Sequence, residues 1–110
     1  MPFSIRIRIE FAENSSVGRG QIELLEAIEK RGSLSQAARS MAMSYRHAWE
    51  LLDCLNKTFA QRVTINRVGG SGGGGTQVTE FGRSVIEGFR RLECRIGGIG
   101  AECLQAILPH

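Results

Sequence analysis

Apolar and polar residues alternate at the start of the chain. Between positions 4 and 11 the odd-numbered residues are Ile5, Ile7, Ile9 and Phe11, and the even-numbered residues are polar or charged. A repeat of two residues is typical of a strand with one buried face. The pattern predicts a half-buried strand over residues 4–11.

Two helical patterns follow a stretch of turn residues at positions 14–20. In the first, the apolar residues Ile22, Leu25 and Ile28 share one helical face, and glutamates occupy the opposite face. Gly32 is expected to end this helix. Ser33, with Gln36 three residues later, has the spacing of a helix cap. The sequence therefore predicts one helix that ends at Gly32 and a short second helix that begins after Ser33.

Ser44 is the expected N-cap of a third helix. Its apolar stripe spans about four turns and comprises Ala48, Leu51, Leu52, Leu55 and Phe59. The turn before it contains Ala42 at a position where a left-handed glycine is usual, at a cost of about 1 kcal/mol. A short helix, a tight turn and a longer helix with a polar start are typical of a helix-turn-helix. A helical hairpin that serves packing alone is the alternative.

Two β-prone runs, at residues 63–68 and 76–79, flank the segment GGSGGGG, which is expected to form the tip of a hairpin. Thr79 and Glu80 then open a fourth helix. Its apolar face comprises Phe81, Val85, Phe89, Leu92 and Ile96. Gly97, Gly98 and Gly100 are expected to end that helix.

The predicted order is strand, helix, helix, helix, hairpin and helix. This order indicates a winged helix-turn-helix, which is a mainly α fold with a small β-hairpin, here with an N-terminal strand and a long C-terminal helix. A chain of 110 residues has room for one such core. We expect the domain to cover residues 1–96 and a glycine-interrupted tail to cover residues 97–110.

The composition is that of a globular protein, with 42% hydrophobic and 23% charged residues. No apolar run reaches membrane-spanning length, and the alternating N-terminus lacks the apolar stretch of a signal peptide. The three cysteines, Cys54, Cys94 and Cys103, form no CxxC pair, so we expect reduced thiols and no metal or other cofactor. The expected location is the cytoplasm.

The net charge of +3 is unevenly distributed along the chain. Residues 10–29 contain five acidic residues and one arginine, whereas residues 30–47 contain four basic residues and no acidic one. Residues 62–79 contain two arginines and again no acidic residue. The positive charge is therefore concentrated in particular elements.

The start of the third helix carries the candidate DNA-reading residues. Tyr45, Arg46 and Trp49 lie on or beside the face opposite the leucines, where a recognition helix meets base edges. Arg46 is the best candidate because arginine can donate two hydrogen bonds to guanine O6 and N7. Arg62 and Arg67 would supply charge from the hairpin. The alternatives are a solvated Arg46 and a Trp49 that covers the edge of the apolar stripe.

The glycine run does not have the form of a nucleotide-binding loop. Gly75 and Thr76 stand where a Walker loop requires a glycine followed by lysine. A GxGxxG spacing is present, but TQVT separates it from the next helix. The chain also lacks paired carboxylates and a nucleophile with a base, so we expect a binding protein and not an enzyme.

Two segments, GSLSQAARSMAMSYRHAWELLDCLN and GGSGGGGTQVTEFGR, resemble the DNA-binding domain of the ModE family of molybdate-responsive regulators. A weaker resemblance to the N-terminal domain of LysR-type regulators covers GSLSQAAR and VTEFG. The ModE-like match extends from about Arg6 to Leu92. It implies a homodimer on a palindromic operator in double-stranded DNA, with Ser44 at the head of the recognition helix and residues 67–76 as the wing.

The predicted DNA-binding residues are Ser44, Tyr45, Arg46, Trp49, Arg62, Arg67, Ser71 and Thr76. In the ModE family, molybdate or tungstate binds a separate C-terminal domain of OB-like modules. We find no such module after Ile96 and expect no small-molecule effector site. The fourth helix and the tail are expected to form the dimer interface. The alternative function is a winged-helix module that binds a protein partner without specific DNA binding.

Overall fold

The computed structural model describes residues 3–70 and 73–107. Its elements in chain order are β1 Arg8–Ala12, β2 Ser15–Gly18, α1 Arg19–Arg31, α2 Leu34–Ser40, α3 Tyr45–Thr58, β3 Thr64–Gly70, β4 Gly73–Val78 and α4 Glu80–Leu104. The described part is mainly helical, with two antiparallel hairpins, β1–β2 and β3–β4. None of its helices combines the length and the hydropathy needed to cross a membrane.

Hydroxyl side chains cap three of the helices. The side-chain oxygens of Ser33, Ser44 and Thr79 accept hydrogen bonds from backbone amides three residues later, at 3.1, 3.1 and 2.9 Å. Each bond satisfies an amide that has no partner inside its helix and is worth about 1 kcal/mol. The predicted starts of α2, α3 and α4 are therefore confirmed.

Left-handed residues shape the turns around α2. Gly32 ends α1 with a φ of 84°, as predicted. Ala42 adopts a φ of 55°, which confirms that an alanine occupies the left-handed position of the α2–α3 turn. The amide of Met43 donates to the carbonyl of Ala38 at 3.0 Å and closes this turn. The hydrogen bonds of the turn offset the strain of about 1 kcal/mol at the alanine.

The side chains of α1 form the centre of the core. Ile22, Leu24, Leu25 and Ile28 have no exposed surface. The buried residues around them come from the other helices and from both hairpins: Val17, Leu34, Ala37, Ala38, Ala48, Leu52, Leu55, Val63, Val78, Ile86 and Phe89. Leu24 is buried although it lies outside the predicted apolar face, because α1 packs against α2, α3, α4 and β4.

The N-terminal segment forms a hairpin instead of the single strand predicted over residues 4–11. Regular pairing begins at Arg8, and β1 pairs with β2 within the stretch that the sequence indicated as turn. The turn itself is short and includes Asn14, with a φ of 63°. Ser16 and Val17 of β2 are both buried, so this strand lacks the alternation that would have revealed it.

The second hairpin extends further into the glycine run than predicted. β3 continues to Gly70 and β4 begins at Gly73, with Arg67 opposite Gly75. A strand ladder uses backbone amides and carbonyls, so glycines can continue it despite their low strand propensity. Ser71, which was predicted to bind DNA, and Gly72 lie outside the described residues.

Helix α4 continues through Gly97, Gly98 and Gly100 and ends at Leu104. The prediction that these glycines end the helix is wrong. A glycine costs about 1 kcal/mol relative to alanine, but it retains the amide and the carbonyl that a helix needs. A Cβ at Gly100 would overlap the side chain of Ile5, so the glycine lets the N-terminal segment pack closely against α4.

Ion pairs attach the middle of α4 to α1. The guanidinium of Arg90 donates hydrogen bonds to both carboxylate oxygens of Glu26 and to Glu93, and Arg19 also donates to Glu93 at 2.9 Å. Partial burial acts to raise the pKa of Glu93, but the hydrogen bonds from Arg19 and Arg90 hold it below its ordinary value. Glu93 therefore stays ionised and links two arginines across the helix pair.

Candidate functional site

The start of α3 presents polar and aromatic side chains to solvent. Tyr45 is 57% and Trp49 50% exposed, and the side chain of Arg46 is 88% exposed. The opposite face of the same helix is buried through Ala48, Leu52 and Leu55. Because the buried face fixes the rotation of α3, the three predicted residues are held together on its outer side.

Arg46 is only weakly engaged within the chain. Its guanidinium lies 3.7 Å from the carboxylate of Glu50, one turn further along α3. An exposed pair of this kind is worth about 0.3–0.5 kcal/mol. The side chain can therefore leave Glu50 at little cost and bind another acceptor.

Ser44 has a structural role at the same helix start. Its side-chain oxygen accepts the hydrogen bond from the amide of His47 that caps α3. A hydroxyl group can donate its own hydrogen while it accepts. Ser44 is thus able to hold the helix start in place and still donate to an external group.

A cleft of about 160 Å³ separates α3 from the β3–β4 hairpin. Four of the predicted residues line it, namely Tyr45, Trp49, Arg62 and Thr76. Arg62 is exposed and donates from Nε to the carbonyl of Thr64 at 3.0 Å, a bond that does not use its two terminal nitrogens. Thr76 is only 8% exposed, so its side chain contributes to the floor of the cleft and not to the outer surface.

Asn56 joins α3 to the hairpin and was not identified from the sequence. Its Oδ1 accepts from the amide of Val63 at 2.8 Å, and its Nδ2 donates to Oγ1 of Thr64 at 3.2 Å. The two bonds fix the base of β3 against the last turns of α3. No sequence signal marks this role, because an asparagine near the end of a helix is ordinary on a polar face.

Arg67 lies against the turn between α1 and α2. The carbonyl of Gly32 accepts from the backbone amide of Thr76 at 3.0 Å and from the guanidinium of Arg67 at 3.2 Å. Gly75 permits this contact, since a Cβ there would come within 2.6 Å of the same carbonyl oxygen. Arg67 therefore helps to anchor the hairpin while its side chain remains exposed.

The geometry defines a small, mainly helical domain in which the start of α3 and the β3–β4 hairpin form one polar and aromatic surface. The chain is related in sequence to bacterial ModE proteins. It is 35% identical over 91 residues to the molybdenum transport protein ModE of Azotobacter vinelandii, a match that covers 83% of this chain and 34% of that protein.

Two other relatives have a similar degree of identity. The molybdenum-pterin-binding protein MopA of Rhodobacter capsulatus is 38% identical over 92 residues, which cover 84% of this chain and 35% of MopA. The DNA-binding transcriptional dual regulator ModE of Escherichia coli strain K12 is 34% identical over 67 residues, which cover 61% of this chain and 26% of that regulator. None of these three names is that of an enzyme.

The chain spans about a third or less of the length of these curated relatives. No protein-family model matches it. The matches confirm the resemblance to ModE proteins that the two sequence segments indicated.

Proposed function

We propose that this chain is a winged helix-turn-helix regulator that binds double-stranded DNA. In this proposal α2 and α3 are the helix-turn-helix, α3 is the recognition helix and the β3–β4 hairpin is the wing. The observation that carries the proposal is the exposed start of α3, where Arg46, Tyr45 and Trp49 project opposite the buried face of the helix. Sequence similarity to a DNA-binding transcriptional regulator supports it.

The dimensions and the chemistry of α3 fit the major groove. An α-helix with its side chains is about 10–12 Å across, and the major groove is about 12 Å wide. With the start of α3 in the groove, the fork of Arg46 reaches a guanine edge, and Tyr45 bonds to a phosphate or packs on a thymine methyl. Arg62 and Arg67 of the wing then bind the phosphate backbone.

Two copies of the chain are proposed to act together on a palindromic site. Helix α4 and the turn that follows it carry exposed apolar residues beyond the packed middle of the helix, with Ile99 57% and Ile107 75% exposed. Burial of such surface between two copies is favourable at about 25 cal/mol per Å². A two-fold dimer would place its recognition helices one DNA turn apart, about 34 Å. The tail was also expected in this interface, and its last apolar residue, Leu108, lies outside the described residues.

Sedimentation of the protein at micromolar concentration, with and without DNA, tests the dimer. We expect the mass of two chains, and we expect Ile99→Glu to shift the mass to one chain by placing a charge in the apolar contact. Glu102→Gln, an exposed change on the same helix, is the control and should remain dimeric. A wild-type monomer under both conditions contradicts the dimer.

Salt-dependent binding of selected DNA tests the function itself. Sites selected from random duplexes should bind the wild-type protein more tightly than scrambled duplexes of equal length. The logarithm of the binding constant should fall linearly with the logarithm of salt, by about 0.9 per phosphate contacted. An affinity that does not change with salt, or that is equal for both duplexes, would favour the protein-interaction module instead.

A further inference from the structure

A second polar cleft, of about 270 Å³, lies outside the surface formed by α3 and the hairpin. Its lining consists of Arg31 at the end of α1 and of Gln36, Arg39 and Ser40 on α2. Both arginines and Gln36 are exposed. No carboxylate and no apolar side chain contributes to the lining, so the cleft offers mainly hydrogen-bond donors with positive charge.

Arg31 and Arg39 have no acidic partner among the described residues, in contrast to four other arginines of the molecule. Arg19, Arg46, Arg83 and Arg90 each lie within 4.0 Å of a carboxylate. Within residues 3–70 and 73–107, no carboxylate lies that close to Arg31 or Arg39. Two uncompensated cations that share one cleft repel each other, and a bound anion relieves this repulsion.

The donors in the cleft suit an oxyanion with several acceptor oxygens. Each guanidinium carries a planar fork of N–H groups, and the Gln36 side-chain amide adds two more donors. The hydroxyl of Ser40 is already used, because it donates to the carbonyl of Ala37 at 2.8 Å. The binding capacity of the cleft therefore depends on Arg31, Arg39 and Gln36.

The position of the cleft relates it to the proposed DNA surface. Arg31 precedes Gly32, whose carbonyl holds the hairpin, and Ser40 precedes the turn into α3. In helix-turn-helix proteins the first helix of the pair crosses the phosphate backbone while the second enters the groove. Three of the four lining residues of the cleft lie on that first helix, α2, and Arg31 lies just before it at the end of α1.

We infer that Arg31 at the end of α1 and Arg39 on α2, together with Gln36, form a DNA-phosphate site that anchors the backbone beside the groove occupied by α3. This inference rests on the proposed function. The site carries no sequence information, because phosphates are the same at every step. Its contribution is to affinity and to the orientation of α3 on the duplex.

The double variant Arg31→Gln/Arg39→Gln tests the site. Binding to selected and to scrambled duplexes should weaken by a similar factor, about tenfold or more at 0.1 M salt, and the salt slope should fall by about two units. The preference for the selected site should be unchanged. The variant Arg31→Lys/Arg39→Lys keeps both charges and should recover most of the affinity and the slope, which separates a phosphate contact from a folding defect.

The double variant Arg6→Gln/Arg8→Gln is the matched control. It removes the same charge from two exposed arginines on the N-terminal segment and should leave the salt slope close to that of the wild type. An equal loss in this control would assign the effect to net charge and overturn the site. An unchanged affinity and slope in Arg31→Gln/Arg39→Gln would overturn it as well.

Two further outcomes separate this inference from the proposed function. If the wild type shows no salt-dependent DNA binding, the proposed function fails. If the wild type binds DNA and Arg31→Gln/Arg39→Gln binds it equally well with the same salt slope, the phosphate site alone fails. Inorganic phosphate at matched ionic strength should displace DNA no better than chloride does. If phosphate displaces DNA more strongly than chloride, and only when Arg31 and Arg39 are present, the cleft is a site for free phosphate instead.

Discussion

Replacing Gly82 with alanine is expected to lower the free energy of unfolding by about 3 kcal/mol. Gly82 is buried in the first turn of α4, where the helix passes directly over the base of the hairpin. A Cβ at this position would overlap the carbonyl oxygen of Val63 and come within 2.9 Å of Cγ1 of Val78. The helix would have to move away from a backbone group that cannot rotate aside.

The same displacement would disturb the hydrogen bond that joins these elements. The amide of Thr79, the N-cap of α4, donates to the carbonyl of Val63 at 3.0 Å. A shift of the first turn lengthens this bond and removes part of the cap. Urea denaturation would measure the decrease in the free energy of unfolding, and the slope of that free energy against urea concentration would be compared between the variants.

Gly88→Ala is the matched control for Gly82→Ala. It lies on the same helix, and a Cβ there meets no atom within 4 Å. Alanine is the better helix former by about 0.5–1 kcal/mol, so this variant should be slightly more stable than the wild type. If both variants lose the same stability, the close packing of Gly82 is not the cause.

The sequence predicted elements whose determinants are local. Ser33, Ser44 and Thr79 act on amides three residues away, and Gly32 ends its own helix, so each signal lies within one turn of its effect. Long helices with one apolar face were predictable for the same reason, since the spacing of 3.6 residues is repeated within the segment.

Features that depend on distant residues could not be predicted in this way. The second strand of the N-terminal hairpin is buried on successive positions and lacks alternation. Continuation of α4 through Gly97 depends on the tertiary structure, which overrides a weak local preference. The roles of Asn56 and Gly82 arise only because the hairpin returns to the helices, and these contacts are separated along the chain.

In the candidate site, too, local features could be predicted from the sequence and features that depend on distant residues could not. Exposure of Tyr45, Arg46 and Trp49 followed from the apolar stripe on the opposite face of α3. The cleft that brings Trp49 near Arg62 and Thr76 required the hairpin to be placed in space. The role of Arg67 at the carbonyl of Gly32 has the same origin, so a change at Arg67 would affect both the anchoring of the hairpin and the binding of phosphate.

Arg46→Ala is expected to weaken binding to the selected operator by about 1–3 kcal/mol, which is about 5- to 150-fold. The side chain is 88% exposed at the start of α3, and its contact with Glu50 is too weak to hold it. Loss of a two-bond contact to guanine should relax the preference at one base pair per half-site and leave the other positions unchanged. Selection of bound sites with each protein measures this preference directly.

Lys57→Ala is the control on the same helix. Lys57 is an exposed cation at the opposite end of α3 and is held by Asp53 at 2.8 Å. The hydrogen bond that the Lys57 ammonium donates to Asp53 raises the pKa of Lys57, so the control removes one full positive charge. Base preference should be the same as in the wild type, and any change in affinity should be similar for selected and scrambled duplexes. If Arg46→Ala behaves in the same way, Arg46 contacts phosphate and reads no base; if it has no effect at all, α3 does not enter the groove by its first turn.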